Sequence, residues 1–142
     1  LIVFLGGVLV NIVKLLNNKA KFYAKELWDV DFDLPVKVSK RFKTTLGECI
    51  YNDSIVLSSR ILDNELFTDD ILLHELCHWY CKKYLKIGWT DSGTNFIKEI
   101  KKTGSHMTNI LNKTGNEYYC NNKKYKPKQR LIELNKKFYL KN

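Results

Sequence analysis

The stretch Leu72-Leu73-His74-Glu75-Leu76-Cys77-His78-Trp79-Tyr80-Cys81 decides how this chain is read. It holds two of the three histidines, four residues apart, with a glutamate directly after the first. On an α-helix that spacing puts both imidazoles on one face, one turn apart. Two such rings can share one Zn²⁺, and a neighbouring carboxylate can take a proton from water there. Apolar residues on either side (Ile71, Leu72, Leu73, Leu76, Trp79, Tyr80) would bury the helix and wall the site. The bland alternative is a buried helix whose histidines bond to backbone carbonyls.

Working outward, Thr68-Asp69-Asp70 supplies N-cap and first-turn acids, which predicts a helix from about Asp69 to Leu85, with Gly88 beyond its end. A further helix is expected after Asp91-Ser92, with Phe96, Ile97 and Ile100 on its apolar face and Gly104 as its stop. Upstream, Ile12, Val13, Leu16, Ala20, Tyr23, Ala24 and Leu27 recur at helical spacing and predict a helix over Ile12–Trp28. Three short β-prone runs follow Pro35: Val36–Phe42, Glu48–Tyr51 and Ser54–Leu57. Gly47 and Asn52-Asp53 punctuate them, and they read as a small antiparallel meander. The last quarter reads as polar and irregular, with β-prone Tyr118-Tyr119 and a helix around Arg130–Tyr139. The fold class is therefore α+β.

The 142 residues fit one domain spanning 1–142, and 44% hydrophobic content argues for a folded core. The opening run "LIVFLGGVLV" is too short for a membrane span and has no basic segment before it, so it is expected to be an early strand or the start of the first helix. The cysteines Cys49, Cys77, Cys81 and Cys120 form no C-x-x-C pair. They suit a reducing, cytoplasmic setting, with Cys77 and Cys81 as core residues. The net charge is +9, and residues 118–142 carry eight Lys/Arg against one acid, Glu133. Such a segment suits an anionic partner such as DNA, with Tyr119 and Tyr125 available to stack on bases; a solvated surface is the other reading.

The order of three segments resembles the SprT-like zinc metalloprotease family, the Spartan type. They are "PVKVSKRFKTTLGECIYNDSIVLSSRIL" (Pro35–Leu62), "ILLHELCHW" (Ile71–Trp79) and "DSGTNFIKEIKKTG" (Asp91–Gly104). The resemblance implies a zincin-like minidomain and a Zn²⁺-dependent endopeptidase. His74 and His78 would be metal ligands and Glu75 the general base, with protein or peptide substrates, and the Spartan type implies DNA-linked ones. Relatives place a third zinc-binding histidine just before the Gly of the last motif. Here Ser92 stands there, and a hydroxyl is a poor zinc ligand. Asp91 is the favoured third ligand, with His106, or no protein ligand at all, as alternatives. Tyr118-Tyr119-Cys120 resembles the first knuckle of a zinc ribbon, but no partner cysteines follow, so the segment is a degenerate remnant. A monomer is expected. The rival from another class is a SprT-like binding module, with little or no turnover, for nucleic acid or protein.

Overall fold

A computed structural model describes the backbone of residues 2–5 and 8–141 and the side chains of 11–107 and 109–141. The apolar start is a hairpin, β1 (Ile2–Leu5) against β2 (Val8–Asn11), so the strand reading holds for its described residues. Asn11 then caps α1 (Ile12–Trp28), its side chain accepting from the Lys14 amide. The α1 face bearing Ile12, Leu16, Ala20, Tyr23 and Ala24 is buried, and Asp29 ends the helix in the left-handed region at φ 53°.

β3 (Val36–Ser39), β4 (Gly47–Ile50) and β5 (Ser54–Ser58) form one sheet in the order β3-β5-β4. β4 pairs antiparallel with β5, as the turn at Asn52-Asp53 predicts. β3 pairs parallel with β5, Val36 opposite Ile55. The antiparallel meander is therefore corrected to a mixed sheet. The physical reason is burial: Ile55 and Leu57 of β5 are fully buried, so β5 takes the centre, and the link through residues 40–46 is long enough to carry β4 to its far side. Asn17 fixes the start of β3 from α1, accepting from the Val36 amide at 2.9 Å and donating to the Val36 carbonyl at 3.0 Å.

α2 (Glu65–Tyr80) is the central helix and is buried almost all round. It begins a turn before the predicted start, because Asn64 is the cap and accepts from the Phe67 amide at 3.0 Å. Asp69 and Asp70, predicted to be first-turn acids, lie instead inside the helix and are fully buried. They survive there because each has a complete set of donors. Asp69 accepts from Lys19 at 2.9 and 3.0 Å, Tyr23 at 2.8 Å and Asn135 at 2.9 Å. A π-helical turn over Cys81–Leu85 completes the predicted span.

α3 (Thr94–Thr103) stops at Gly104, φ 76°. A Cβ at Gly104 would sit 2.6 Å from the Leu131 amide nitrogen, so glycine is also what admits the next helix. The C-terminal quarter is not irregular. β6 (Leu111–Thr114), β7 (Glu117–Cys120) and β8 (Lys123–Lys124) form an antiparallel sheet. α4 (Gln129–Lys141) then packs Leu131, Leu134 and Phe138 into the core beside α1 and α2. Hydrophobic contacts that are non-local in sequence build this region, which is why local polarity concealed it. All four cysteines are free thiols, and Cys77 and Cys81 pack with Phe96 and Ile100 as core residues. Among the described residues no helix is long and apolar enough to cross a membrane.

Candidate metal centre

α2 carries His74, Glu75 and His78 to the floor of a cleft of about 440 Å³. Its walls are β4 (Gly47, Glu48, Cys49), Tyr51, Lys82 and the loop Trp89-Thr90-Asp91. β4 is an outer strand of its sheet, so one of its edges has no strand neighbour among the described residues. Gly47 lets the strand approach the helix: a Cβ there would lie 2.6 Å from Ile71 Cγ2 and 3.4 Å from Glu75 Cγ.

The loop before α3 folds back over the helix and delivers Asp91. Its Oδ1 lies 2.7 Å from His78 Nε2 and 3.2 Å from His74 Nε2, and the two Nε2 atoms are 3.1 Å apart. Among the described residues His74, His78 and Asp91 are the group whose ligand atoms converge in this way. Asp91 thus points into the cleft and makes no side-chain cap for α3. Ser92 is exposed in the adjoining turn. His106 is not brought to this cluster; its Nδ1 bonds to Asp70 at 2.7 Å.

The proton inventory of these atoms decides what they can hold. His78 Nδ1 lies 2.5 Å from the Trp89 carbonyl, which can only accept, so Nδ1 carries the hydrogen. In the neutral ring Nε2 is then a lone pair, aimed at a carboxylate oxygen and at a second imidazole. Burial, then the charge of His78, depresses His74 to a pKa of about 4, so near neutral pH its ring is an uncharged base. Three converging acceptors repel one another unless a proton or a cation lies between them. Ligand atoms on a tetrahedral zinc lie about 3.3 Å apart, given bonds of about 2.0–2.1 Å. The observed separations are slightly tighter than that, and the donor set fits such an ion.

Glu75 is almost fully buried beside this group. Burial, then the charges of Asp91 and Glu48, pushes its pKa up to about 8, while a backbone hydrogen bond from Cys49 opposes them. A carboxyl poised in that range can both take and give a proton. Phe96 stacks on His78 at 4.1 Å between ring centroids and meets His74 edge-on at 4.9 Å. Sequence reading took Phe96 as an apolar-face residue, and its position three residues after Gly93 gave no sign of contact with both rings. At the cleft mouth Lys82 lies over Tyr51 at 4.7 Å and over Trp89 at 5.1 Å. Tyr125, expected to offer a face to bases, instead packs edge-on against Phe67 at 4.9 Å and donates to Asp70.

No curated protein and no solved structure matches this chain. A family model described as the SprT-like family matches residues 14–116, a span that includes most of α1 and all of the mixed sheet, α2, the Asp91 loop and α3. With most of its length matched and the ordered segments in place, the chain belongs to the SprT-like family.

Proposed function

We propose that this protein is a zinc-dependent endopeptidase. The observation that carries the reading is the convergence of His74, His78 and Asp91 beside a buried carboxyl, at the foot of a cleft bordered by a strand edge with no strand neighbour among the described residues. His74, His78 and Asp91 would hold the ion, and Ser92 would have no part in it. When bound, zinc supplies a Lewis acid that polarises a carbonyl and acidifies water.

The chain's own residues do the rest. The open edge of β4 offers backbone donors and acceptors to an extended peptide, which aligns the scissile bond over α2. Glu75 takes a proton from the water that attacks the carbonyl carbon, then returns it to the departing amine as the C–N bond breaks. A cation held by the ligand set would favour the ionised form of Glu75 against its burial. Phe96 backs the imidazoles and keeps water from that side. The Trp89 carbonyl fixes the tautomer of His78, leaving Nε2 free to ligate.

Two measurements test this. Elemental analysis of protein prepared without chelator should find about one zinc per chain, lost in both His74→Ala and His78→Ala. Glu75→Gln should keep the metal and lose cleavage of an unfolded test protein. No zinc in the parent refutes the reading. Zinc without cleavage by the parent favours a binding module.

A further inference from the structure

Lys82 extends the row of side chains that faces the cleft. It follows His78 by four residues, the spacing at which His78 follows His74. The helix has widened there into its π turn, with the Lys86 amide bonded to the Cys81 carbonyl five residues back, and Lys82 still lines the cleft. Its ammonium group lies over two rings from different walls: Tyr51, just after β4, at 4.7 Å and Trp89, in the Asp91 loop, at 5.1 Å. Trp89 is itself tied to His78, whose Nδ1 meets its carbonyl. The cation is therefore held in a fixed relation to the candidate metal ligands.

The side chain is half-buried, and aromatic faces favour an ammonium group partly stripped of water. An ammonium group has three donors, and among the described residues that of Lys82 makes no hydrogen bond and no ion pair. Lys83, its neighbour in sequence, is the contrast: its Nζ lies 3.8 Å from Asp33, and it does not line the cleft. Among the described residues that line the cleft, Lys82 is the one Lys or Arg, and it stands with the acids Glu48, Glu75 and Asp91. A nucleic-acid strand binds through several cations in a row and would meet those acids. A single carboxylate needs only one cation with free donors. Four helical residues span about 6 Å along the axis, roughly the length of two residues of extended chain.

We infer that Lys82 is a specificity-determining residue: it takes a carboxylate of the peptide substrate about two residues from the bond that is cut. Two sources offer that group, an acidic side chain and the free C-terminus. The position relative to the cut bond rests on the proposed function; the preference for a carboxylate is read from binding as well.

The test uses the full chain and its variants Lys82→Met, Lys82→Arg and Lys83→Met with short Gln-rich peptides. One series carries a single Glu at successive positions and an amidated C-terminus. The all-Gln peptide is made with an amidated and with a free C-terminus. Cleavage is mapped by mass spectrometry and read as kcat/KM, and binding to metal-free protein is read by fluorescence anisotropy. A carboxylate near the cut bond should raise kcat/KM and tighten binding about 10-fold over the amide, as for a hydrogen bond to a charged group. A gain from an internal Glu names the side chain as the source, and a gain from the free end names the C-terminus. Lys82→Met should level the peptides, Lys82→Arg should keep the preference, and Lys83→Met should match the parent. A lysine that merely bridges Tyr51 and Trp89 would behave differently: Lys82→Met would slow every peptide alike and leave the Glu-to-Gln ratio at its parental value, which overturns the inference. A parent indifferent to carboxylates overturns it too, as does one that binds a single-stranded oligonucleotide through Lys82 without telling Glu from Gln. If the parent takes up no zinc and cuts nothing, the proposed function fails and binding decides this point. A preference for the carboxylate that is lost in Lys82→Met then upholds the inference, and equal or undetectable binding overturns it.

Discussion

Gly47→Ala is the sharpest test of how the cleft is built. The added methyl would sit 2.6 Å from Ile71 Cγ2, 3.2 Å from Leu57 Cδ2 and 3.4 Å from Glu75 Cγ. An ordinary carbon–carbon contact is about 3.5–4.0 Å, so strand and helix must part by roughly 1 Å. Neither neighbour gives easily. Ile71 is fully buried, and its Cγ2 branches from Cβ on a rigid helix; Leu57 is fully buried on the central strand. Overpacking of this kind costs about 1–3 kcal/mol. The same displacement moves β4 away from Glu75, and a misplacement of about 1 Å can lower turnover about 100-fold. Urea unfolding of the zinc-loaded protein reads the first effect, and cleavage of an unfolded protein reads the second. Ile71→Leu removes the offending methyl at constant volume and alone should cost less than about 1.5 kcal/mol. In the double variant it should recover at least about 1 kcal/mol of the Gly47→Ala loss, as expected for residues in contact. A Gly47→Ala protein within about 0.5 kcal/mol of the parent, or strictly additive effects in the double variant, would refute the close-approach argument.

Lys19→Met leaves the buried Asp69 carboxyl without its cation, and about 3–5 kcal/mol should be lost near pH 7. Burial already raises the Asp69 pKa, and losing Lys19 raises it further. The folded state then keeps a proton that the unfolded state gives up, so the loss should grow as pH rises above the ordinary carboxylate range and shrink as pH falls. An equal loss in urea unfolding at pH 5 and pH 7 would instead assign it to packing. Asp91→Ala should weaken zinc markedly, whereas Ser92→His should strengthen it by offering a nitrogen beside the cleft; equal affinities by chelator competition would remove this loop from the ligand set. The basic surface of residues 118–142 is expected to bind single-stranded DNA with log K falling by about 0.7 per log unit of salt for each phosphate contacted, and affinity indifferent to salt would reject it. Because Tyr125 is packed against Phe67, its replacement should act on stability rather than on base stacking.

The helix bearing His74 and His78 was legible because both of its signals are local. The four-residue spacing of His74 and His78 survives any tertiary context, and the apolar flanks report burial directly. Asp91 was legible only beside the SprT-like pattern, since an aspartate before a helix ordinarily reads as a cap. The charges of Asp69 and Asp70 misled for the same reason: their burial depends on Lys19, Tyr23 and Asn135, and on Ser105, His106 and Tyr125, all far away in sequence. One hint was present, because Lys19 falls on the apolar side of α1 among Leu16, Ala20 and Tyr23. The parallel pairing of β3 could not be read from turn residues, which encode only the pairing of neighbours.

The network around Asp69 has a consequence for the order in which the chain becomes a protein. The family match ends at residue 116, yet α2 is not satisfied until Asn135 donates to Asp69 and Phe138 closes over Tyr23. The stretch that carries the family's signature is thus shorter than the stretch that completes the packing around α2. On the ribosome, the helix bearing His74 and His78 has left the exit tunnel's shelter with a buried acid still short of one of its donors. That donor arrives only with α4. Metal capture would then follow the docking of α4, so the helix farthest along the chain sets when the cleft is ready.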